Sequence, residues 1–513
     1  MTRWWSIHYP AGKRFCQSKE TKTEHRLQRK KKESIKIKRR LCNMLFNYLS
    51  EDQVKQMHEA TLEVLETIGV RSASQRFLDK CAELGLIVED GNVRFPRDLV
   101  EKAIKSAPSQ FSLYGRDGSH EVKLGSDEVY SQTCIGSPFI IDIETGERRT
   151  VVYKDLEDFV RVCDGLDYID IISAIFPKDV PEHAAVTAET VAQVKNTTKP
   201  LHICIESDHE TKYIADVLAA AVGGMDKLVE KPIAYLQVSP ISPLDYATGP
   251  ANGLLDVVEA GLPLGIIPCP MLGATGPMTL IGSVVMHNAE MLAGVVVSQL
   301  MKPGHPVVMS PRVTFIDMKT AVGLWAAPEM GLAGTCSHQM CRYYGIPSEP
   351  TGFSGSSKVS DEQSGFERMF NALVPGLAGA SILGTAGSFD NALIADYRTI
   401  VMDNEISSIV KRACKGQKVD EDICAVEAIR EVVNGERNFL GNEHTMRYLR
   451  TELWNPVICE RNAYEVWAQN PTTYHDKAMA MARDLYDNHE VAPMPAEYAA
   501  AVDAAYQKAV NKE

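Results

Sequence analysis

No stretch of the 513-residue chain approaches the roughly 18 consecutive apolar residues that a membrane-spanning helix requires. The longest run, around Met291–Leu300, is broken by Gly294 and Gln299, so no membrane association is expected. Cysteine occurs twelve times but always singly, with no Cys-x-x-Cys pair. That usage excludes a disulfide-stapled scaffold and suits a reducing cytosol, so a cytoplasmic protein is expected. There is no His-Glu-x-x-His, no Gly-x-Ser-x-Gly, no Walker phosphate loop and no plausible zinc quartet. The nearest metal-like cluster, Cys336-Ser-His338-Gln-Met-Cys341, lies in a helical stretch where positions five apart point to different faces. It is expected to pack, and no metal of the protein's own is expected. What remains is a chain without a ready-made acid, base or Lewis acid, and a reaction needing little of them fits best.

The net charge of −13 is unevenly spread. Residues 1–40 carry 14 Lys/Arg against 3 Asp/Glu, which leaves the remainder strongly acidic. The basic segment, with its run Arg29-Lys30-Lys31-Lys32, lacks apolar periodicity and reads as a disordered extension over residues 1–43. Met44 stands just before the first ordered element, as an upstream extension of the reading frame would place it. A nucleic-acid-binding arm is the other reading. The acidic body argues against a nucleic-acid partner, because phosphate neutralisation needs a basic surface.

Residues 44–165 read as an N-terminal subdomain. Ser50-Glu51-Asp52-Gln53 forms a capping-box opening to a first helix, with further helices around Gln75–Leu84 and Arg97–Lys105. Residues 111–153 then switch to alternation and turns, as a small β unit would. From 166 to 412 one theme repeats. Apolar or β-branched runs at Ile169–Phe176, Leu201–Glu206, Ile233–Ser239, Leu264–Pro268, Pro306–Ser310, Pro350–Ser354, Ala380–Gly384 and Thr399–Asp403 alternate with helical stretches. Eight alternations are the sequence form of an α/β fold of the (β/α)₈ TIM-barrel type. A doubly wound open sheet competes, but no glycine-rich dinucleotide fingerprint follows an early strand. Residues 413–513 read as an amphipathic helical tail that wraps the barrel or a second subunit, so a homo-oligomer is expected.

In such a barrel the chemistry sits at the C-terminal ends of the strands. Those positions here are rich in glycine and serine, notably Gly273-Ala-Thr-Gly-Pro277, Gly352-Phe-Ser-Gly-Ser-Ser-Lys358 and Gly384-Thr-Ala-Gly-Ser-Phe-Asp390. Glycine lets a backbone approach a large ligand closely. Tight βα turns are the alternative reading of each such segment.

Several segments in order resemble one family, the trimethylamine:corrinoid methyltransferase superfamily. They are Ile141-Asp-Ile-Glu-Thr-Gly-Glu-Arg-Arg-Thr150 with Asp155, Gly273-Ala-Thr-Gly-Pro-Met-Thr-Leu280, Ser298-Gln-Leu-Met-Lys-Pro-Gly304, Arg342-Tyr-Tyr-Gly-Ile-Pro347 and Gly352-Phe-Ser-Gly-Ser-Ser-Lys-Val-Ser-Asp361. The resemblance runs from about Leu49 to the C-terminus. It implies a methyltransferase that passes a methyl group to a corrinoid of the cobalamin type carried by a small partner protein. Members that demethylate trimethylamine carry pyrrolysine just after the segment matching Ser356–Asp361. Here the neighbourhood reads Asp361-Glu-Gln-Ser-Gly365, all ordinary residues. That departure points to the branch lacking pyrrolysine, whose substrates are quaternary amines such as glycine betaine, proline betaine or carnitine. A quaternary nitrogen leaves as a neutral amine, so its departure needs neither a proton nor a metal.

On this reading Gln363, near the place of the family's special residue, and Glu206 are the catalytic candidates. Phe353 and Phe389 are candidate aromatic faces for the cation, with core packing as their alternative. Asp390 and Glu405, like Glu206, offer counter-charges or helix caps. Arg312 offers a planar fork for a betaine carboxylate, or a structural ion pair. The corrin ring is expected against Gly273, Thr275, Gly276, Gly352, Ser354, Gly355, Ser356 and Gly387. Two other functions remain open. An aldolase-like or lyase barrel would want a Schiff-base lysine, for which Lys358 is the near candidate. A non-catalytic scaffold would bind the corrinoid protein without transferring methyl.

Overall fold

A computed structural model describes residues 46–512 apart from Glu206. The extension expected at 1–43 lies outside the described residues. Eight parallel strands form the centre: β1 (Tyr130–Thr133), β2 (171–172), β3 (Leu201–Ile205), β4 (Ala234–Val238), β5 (Leu264–Ile266), β6 (Val307–Met309), β7 (348–351) and β8 (Ile382–Ala386). Each pairs in parallel with the next, from Gln132 opposite Ile171 and Ile172 opposite Leu201 through Met309 opposite Ser348 and Thr351 opposite Gly384, and the β8–β1 pairing shifts register between Leu383 and Ala386. Ile382 opposite Tyr130 closes the ring.

Each strand is followed by a helix: α1 (Tyr153–Asp164), α2 (Ala185–Asn196), α3 (Thr211–Val222), α4 (Thr248–Ala260), α5 (Leu280–Met301), α6 (Pro328–Tyr344), α7 (Glu362–Ala378) and α8 (Tyr397–Cys414). This is a (β/α)₈ barrel, the fold expected. Its strands are buried on both faces, which is why most read as continuous apolar runs.

Two strands differ from expectation. Thr399–Asp403 is not a strand but the first turns of α8. Asp396 accepts the backbone N–H groups of Arg398 and Thr399 at 3.3 and 3.1 Å, and this cap starts a helix whose apolar stripe overrides the β-branched run. The missing strand is β1, Tyr-Ser-Gln-Thr, which lies in the segment read as the small β unit. The boundary expected at 166 therefore falls inside the barrel. Polar residues hid β1 because its inward side meets other polar groups.

The closed end of the barrel is plugged by the hairpin Phe111–Tyr114 and Glu121–Leu124. Leu113, Val122 and Leu124 pack there against the inward Tyr130, Ile171, Tyr235, Val308 and Ile382. The first helix, Glu51–Glu63, has the expected capping box, with Ser50 Oγ accepting from Gln53 N–H and Gln53 Oε1 from Ser50 N–H. It and the helix Arg97–Ser106 lie against α5. One helix, α5, is long and apolar enough to cross a membrane by length and composition. Most of it is buried between the barrel and these helices.

After α8 come α9 (Val426–Asn434), α10 (Glu443–Glu452), α11 (Tyr464–Trp467), α12 (Tyr474–Asn488) and α13 (Ala496–Asn511). Helix α12 packs on α8 and α1, and α13 lies along α3.

Helix α5 also carries a buried acid that holds the loop leaving β4. Glu290 accepts from Leu244 N–H at 2.7 Å and Ser242 Oγ at 2.9 Å. Burial raises its carboxyl to about 7, against the opposing pull of these hydrogen bonds. The folded protein thus holds a proton that the unfolded chain releases near 4.5, and this contribution to stability is lost as pH rises towards 7. Replacing Glu290→Gln removes the dependence. Relative to the wild type, the variant should gain about 3 kcal/mol in unfolding free energy between pH 4.5 and pH 8, measured by urea titration.

Candidate active site

Alternation along the strands sends Gln132, Ser173, His202, Tyr235, Gln237, Ser310 and Glu349 into the barrel, above the apolar plug. All seven are buried. Their hydrogen bonds run in one consistent direction. Gln237 Nε2 donates to Glu349 Oε2 at 2.8 Å and to Ser310 Oγ at 2.6 Å, so its Oε1 is the acceptor. His202 Nε2 therefore carries the proton that it gives to Gln237 Oε1 at 2.8 Å. Its Nδ1 is then free to accept from Ser173 Oγ at 2.9 Å. Gln132 Nε2 lies 3.1 Å from Glu349 Oε1, while the Tyr235 hydroxyl donates to Gln132 Oε1.

The chain of donors ends on one carboxylate. Arg312 completes it, pairing through Nη2 with Glu349 Oε1 while Nη1 donates to the carbonyls of Pro311 and Glu349. Gly384 makes this pair possible. A Cβ there would stand 2.9 Å from both Arg312 Nη2 and Glu349 Oε1.

Burial works to raise the Glu349 carboxyl, but the Arg312 guanidinium and the hydrogen bonds from Ser310 and Gln237 outweigh it and hold it below its ordinary value. Burial also depresses His202, to about 4, so the imidazole is neutral at physiological pH. The floor of the barrel is thus an internally neutralised network. Its carboxylate is saturated with donors and its histidine is not poised to exchange protons near neutrality. Such a floor can orient and desolvate a ligand. One step nearer the mouth on the same strands, Cys204, Ser239 and Cys269 are half-buried and line the space above it.

A second buried pair organises the rim. Arg368 on α7 and Asp403 on α8 are 2.6 Å apart and fully buried. Arg368 donates to the carbonyl of Phe353 at 2.7 Å and to that of Ser388, while Asp403 accepts from Gly387 N–H at 2.6 Å. The loops after β7 and β8 are tied together through this pair. Burial nevertheless raises Asp403 to about 6, against the pull of Arg368.

The residues singled out from sequence fall in several places. Phe353, Gly355 and Gly387 meet the Arg368–Asp403 pair, Ser356 donates from its backbone N–H to Glu367 and from its hydroxyl to Asn391 Oδ1, and Ser354 is fully buried. Phe353 is fully buried in the main core and Phe389 is 3% exposed, so neither offers a face to the open mouth. Asp390 pairs with Lys358, which does not supply the free lysine a Schiff-base mechanism needs. Arg312 is committed to Glu349, and its fork is not free for a ligand carboxylate.

Glu405 points away from the mouth and accepts the N–H groups of Val457, Ile458 and Cys459 at 2.8, 3.3 and 3.0 Å. Gln363 is exposed in the first turn of α7 and donates to Glu367 Oε1 at 2.8 Å. Glu206 lies outside the described residues. The glycines are explained by the chain's own packing. A Cβ on Gly352 would meet Leu383 at 2.7 Å, and one on Gly387 would meet Ile400 at 2.9 Å. Gly276 faces Ser283, and Gly273 faces Met318 and Met278. Thr275 Oγ1 closes its own turn by accepting from Met271 N–H at 2.8 Å. Among the described residues, no group of three or more His, Cys, Asp or Glu is placed to hold a metal ion.

Sequence reasoning missed Glu349, His202, Gln237 and Gln132. The signal was present as single polar residues interrupting apolar strands, in Leu-His-Ile-Cys-Ile and Ala-Tyr-Leu-Gln-Val.

The model of the family described as trimethylamine methyltransferase (MTTB) matches residues 16–512. The chain belongs to that family. It is a methyltransferase. The trimethylamine methyltransferase of Desulfitobacterium hafniense is 31% identical over 455 residues, covering 88% of this chain and 91% of its own length. A glycine betaine methyltransferase of the same species is 30% identical over 447 residues, covering 86% and 93%. The solved structure of the monomethylamine methyltransferase of Methanosarcina barkeri covers 89% of this chain and 92% of its own, with a TM-score of 0.51 and 12% identity. That likeness is one of fold alone. Family members of two different substrate classes thus stand at the same distance in sequence.

Proposed function

We propose that this protein takes a methyl group from a small quaternary amine of the betaine type and passes it to a corrinoid carried by a partner protein. The observation that carries the choice of amine is the segment Asp361–Gly365. Where the resemblance places pyrrolysine in trimethylamine-demethylating members, this chain has the capped first turn of α7, built from ordinary residues. Asp361 accepts from Ser364 N–H at 3.1 Å, and Gln363 is occupied with Glu367. The neutral floor supports the same reading, because a quaternary amine leaves without a proton.

The corrinoid supplies a strongly nucleophilic cobalt that accepts the methyl group. A broad, largely apolar ring is compatible with the rim. Met278, Met318, Val359 and Leu393, each on a different βα loop, are 63, 64, 58 and 45% exposed. The protein's share of the work is to hold the amine in line and to exclude water, which together lower the barrier by several kcal/mol. The network around Glu349 fixes the floor against which the amine rests. Trp325 is the aromatic face assigned to the cation. It is half-buried, and its backbone N–H donates to Asn391 Oδ1 at 3.1 Å, which also accepts from Ser356 Oγ at 2.8 Å, so its backbone is tied to the mouth loops after β7 and β8.

Replacing Trp325→Ala should weaken binding of the quaternary amine about tenfold, a loss in the range of one cation–π contact. The melting temperature should change little. Calorimetric titration checks this, and unchanged affinity removes Trp325 from the site. Product analysis tests the reading as a whole. Incubation with reduced cobalamin and a set of betaines should yield one tertiary amine for each cobalt consumed. Consumption of cobalt without a demethylated amine would reject it.

A further inference from the structure

The loop that follows β8 bends in a way that L-residues avoid. Asp390, Asn391 and Ala392 take positive φ one after another, at 52, 59 and 66°, and so make a left-handed turn without a glycine. Neighbouring loops hold it in place. Asp390 N–H donates to the carbonyl of Ser357 at 3.0 Å and Asn391 N–H to that of Gly355 at 2.9 Å. The carbonyl of Ala392 accepts from Ser137 Oγ at 2.7 Å. Strained backbone that its surroundings over-determine in this way clusters at ligand sites, where it aims a side chain.

The side chain aimed here is Asn391, half-buried at the open end of the barrel. Its Oδ1 accepts from the backbone N–H of Trp325 at 3.1 Å. A backbone N–H can only donate, so the amide has one orientation. Ser356 Oγ donates to the same oxygen at 2.8 Å. The two N–H groups of Nδ2 lie on the other branch of the amide and meet no acceptor among the described residues. The adjoining Asp390 carboxylate is paired with Lys358. Arg312, the charged fork that a ligand carboxylate would otherwise seek, is spent on Glu349.

We propose that Asn391 is a specificity-determining residue, donating from Nδ2 to the carboxylate of a betaine whose methylated nitrogen rests on Trp325. The assignment rests on the quaternary-amine reading of the function and adds the group that separates betaines from cations without an acid. A neutral donor suits a zwitterion. It satisfies the carboxylate without repelling the quaternary nitrogen close beside it, as a free lysine or arginine would.

The variant Asn391→Asp keeps the shape of the side chain and is tolerated at positive φ. One of its oxygens still faces Trp325 N–H and Ser356 Oγ, but an anion replaces the donors. Calorimetric titration compares glycine betaine with tetramethylammonium, which has the methylated nitrogen and no carboxylate. The variant should bind the betaine about a hundredfold more weakly, through a lost hydrogen bond to a charged group and a new repulsion. It should bind tetramethylammonium at least as tightly as the wild type does, with an unchanged melting temperature. Asn391→Gly, which accepts the turn and removes the donors without adding charge, should weaken the betaine alone, by about tenfold. Unchanged betaine affinity in both variants overturns the proposal. Equal losses for the two ligands also overturn it, because Asn391 would then shape the mouth without touching the carboxylate. A wild type that binds no betaine at all rejects the quaternary-amine reading itself, and this assignment with it.

Discussion

Replacing Glu349→Gln should cost about 3–5 kcal/mol of stability, because it strands the Arg312 guanidinium, 3% exposed, without a counter-charge. Methyl transfer should fall by at least a hundredfold, since the donors of Gln237, Gln132 and Arg312 all converge on this carboxylate. The double variant Glu349→Gln, Arg312→Met separates the two effects. Removing both charges should restore most of the stability, because an uncompensated buried charge, not the lost attraction, dominates the single-variant cost. Activity should stay low, because the floor remains unbuilt. Chemical denaturation and the rate of Co(I) loss measure the two quantities. A single variant within 1 kcal/mol of wild type would show that the pair is not the keystone of the barrel interior.

Arg368→Met is the second large effect, and it depends on pH. Asp403 then lies buried without its partner, and the attraction that had restrained the upward push of burial is gone. Its carboxyl rises above its present value of about 6. A raised folded-state value means that stability is retained while the group is protonated and lost as pH increases through that value. The variant should therefore be about 3–5 kcal/mol less stable than wild type at pH 8 and roughly 1–2 kcal/mol closer to it at pH 5. Freed from Arg368, the loops carrying Phe353 and Ser388 should be cut first by a protease. A deficit independent of pH would mean that Asp403 is not the group left unpaired.

Much of the barrel was legible in the sequence because a parallel strand covered on both faces must be apolar along its whole length. The two errors have different causes. Thr399-Ile-Val-Met-Asp403 has the composition of a strand but stands one turn after a capping aspartate, and the cap decided. Tyr-Ser-Gln-Thr of β1 has the wrong composition because Gln132 belongs to the polar floor.

The site was less legible for a related reason. Glu349 sits between Ser348 and Pro350 in a stretch that reads as a turn, and only closure of the barrel brings it to Arg312. Sequence showed that Arg312 wants an anion but not which one. The glycine-rich strand ends were read as room for a ligand. The structure fills that room with Leu383, Ile400 and the chain's own loops, because closely spaced strand ends and helices compete for the same volume.

The most direct test of the function is a comparison of two methyl donors. The protein, mixed with excess Co(I) corrinoid, receives a betaine in one experiment and trimethylamine in the other, and Co(I) absorption is followed. The account predicts that absorption falls at a rate proportional to the enzyme, one Co(I) for each amine demethylated, with at least one betaine and stays constant with trimethylamine. Loss of Co(I) with trimethylamine, or with none of the quaternary amines, would contradict it.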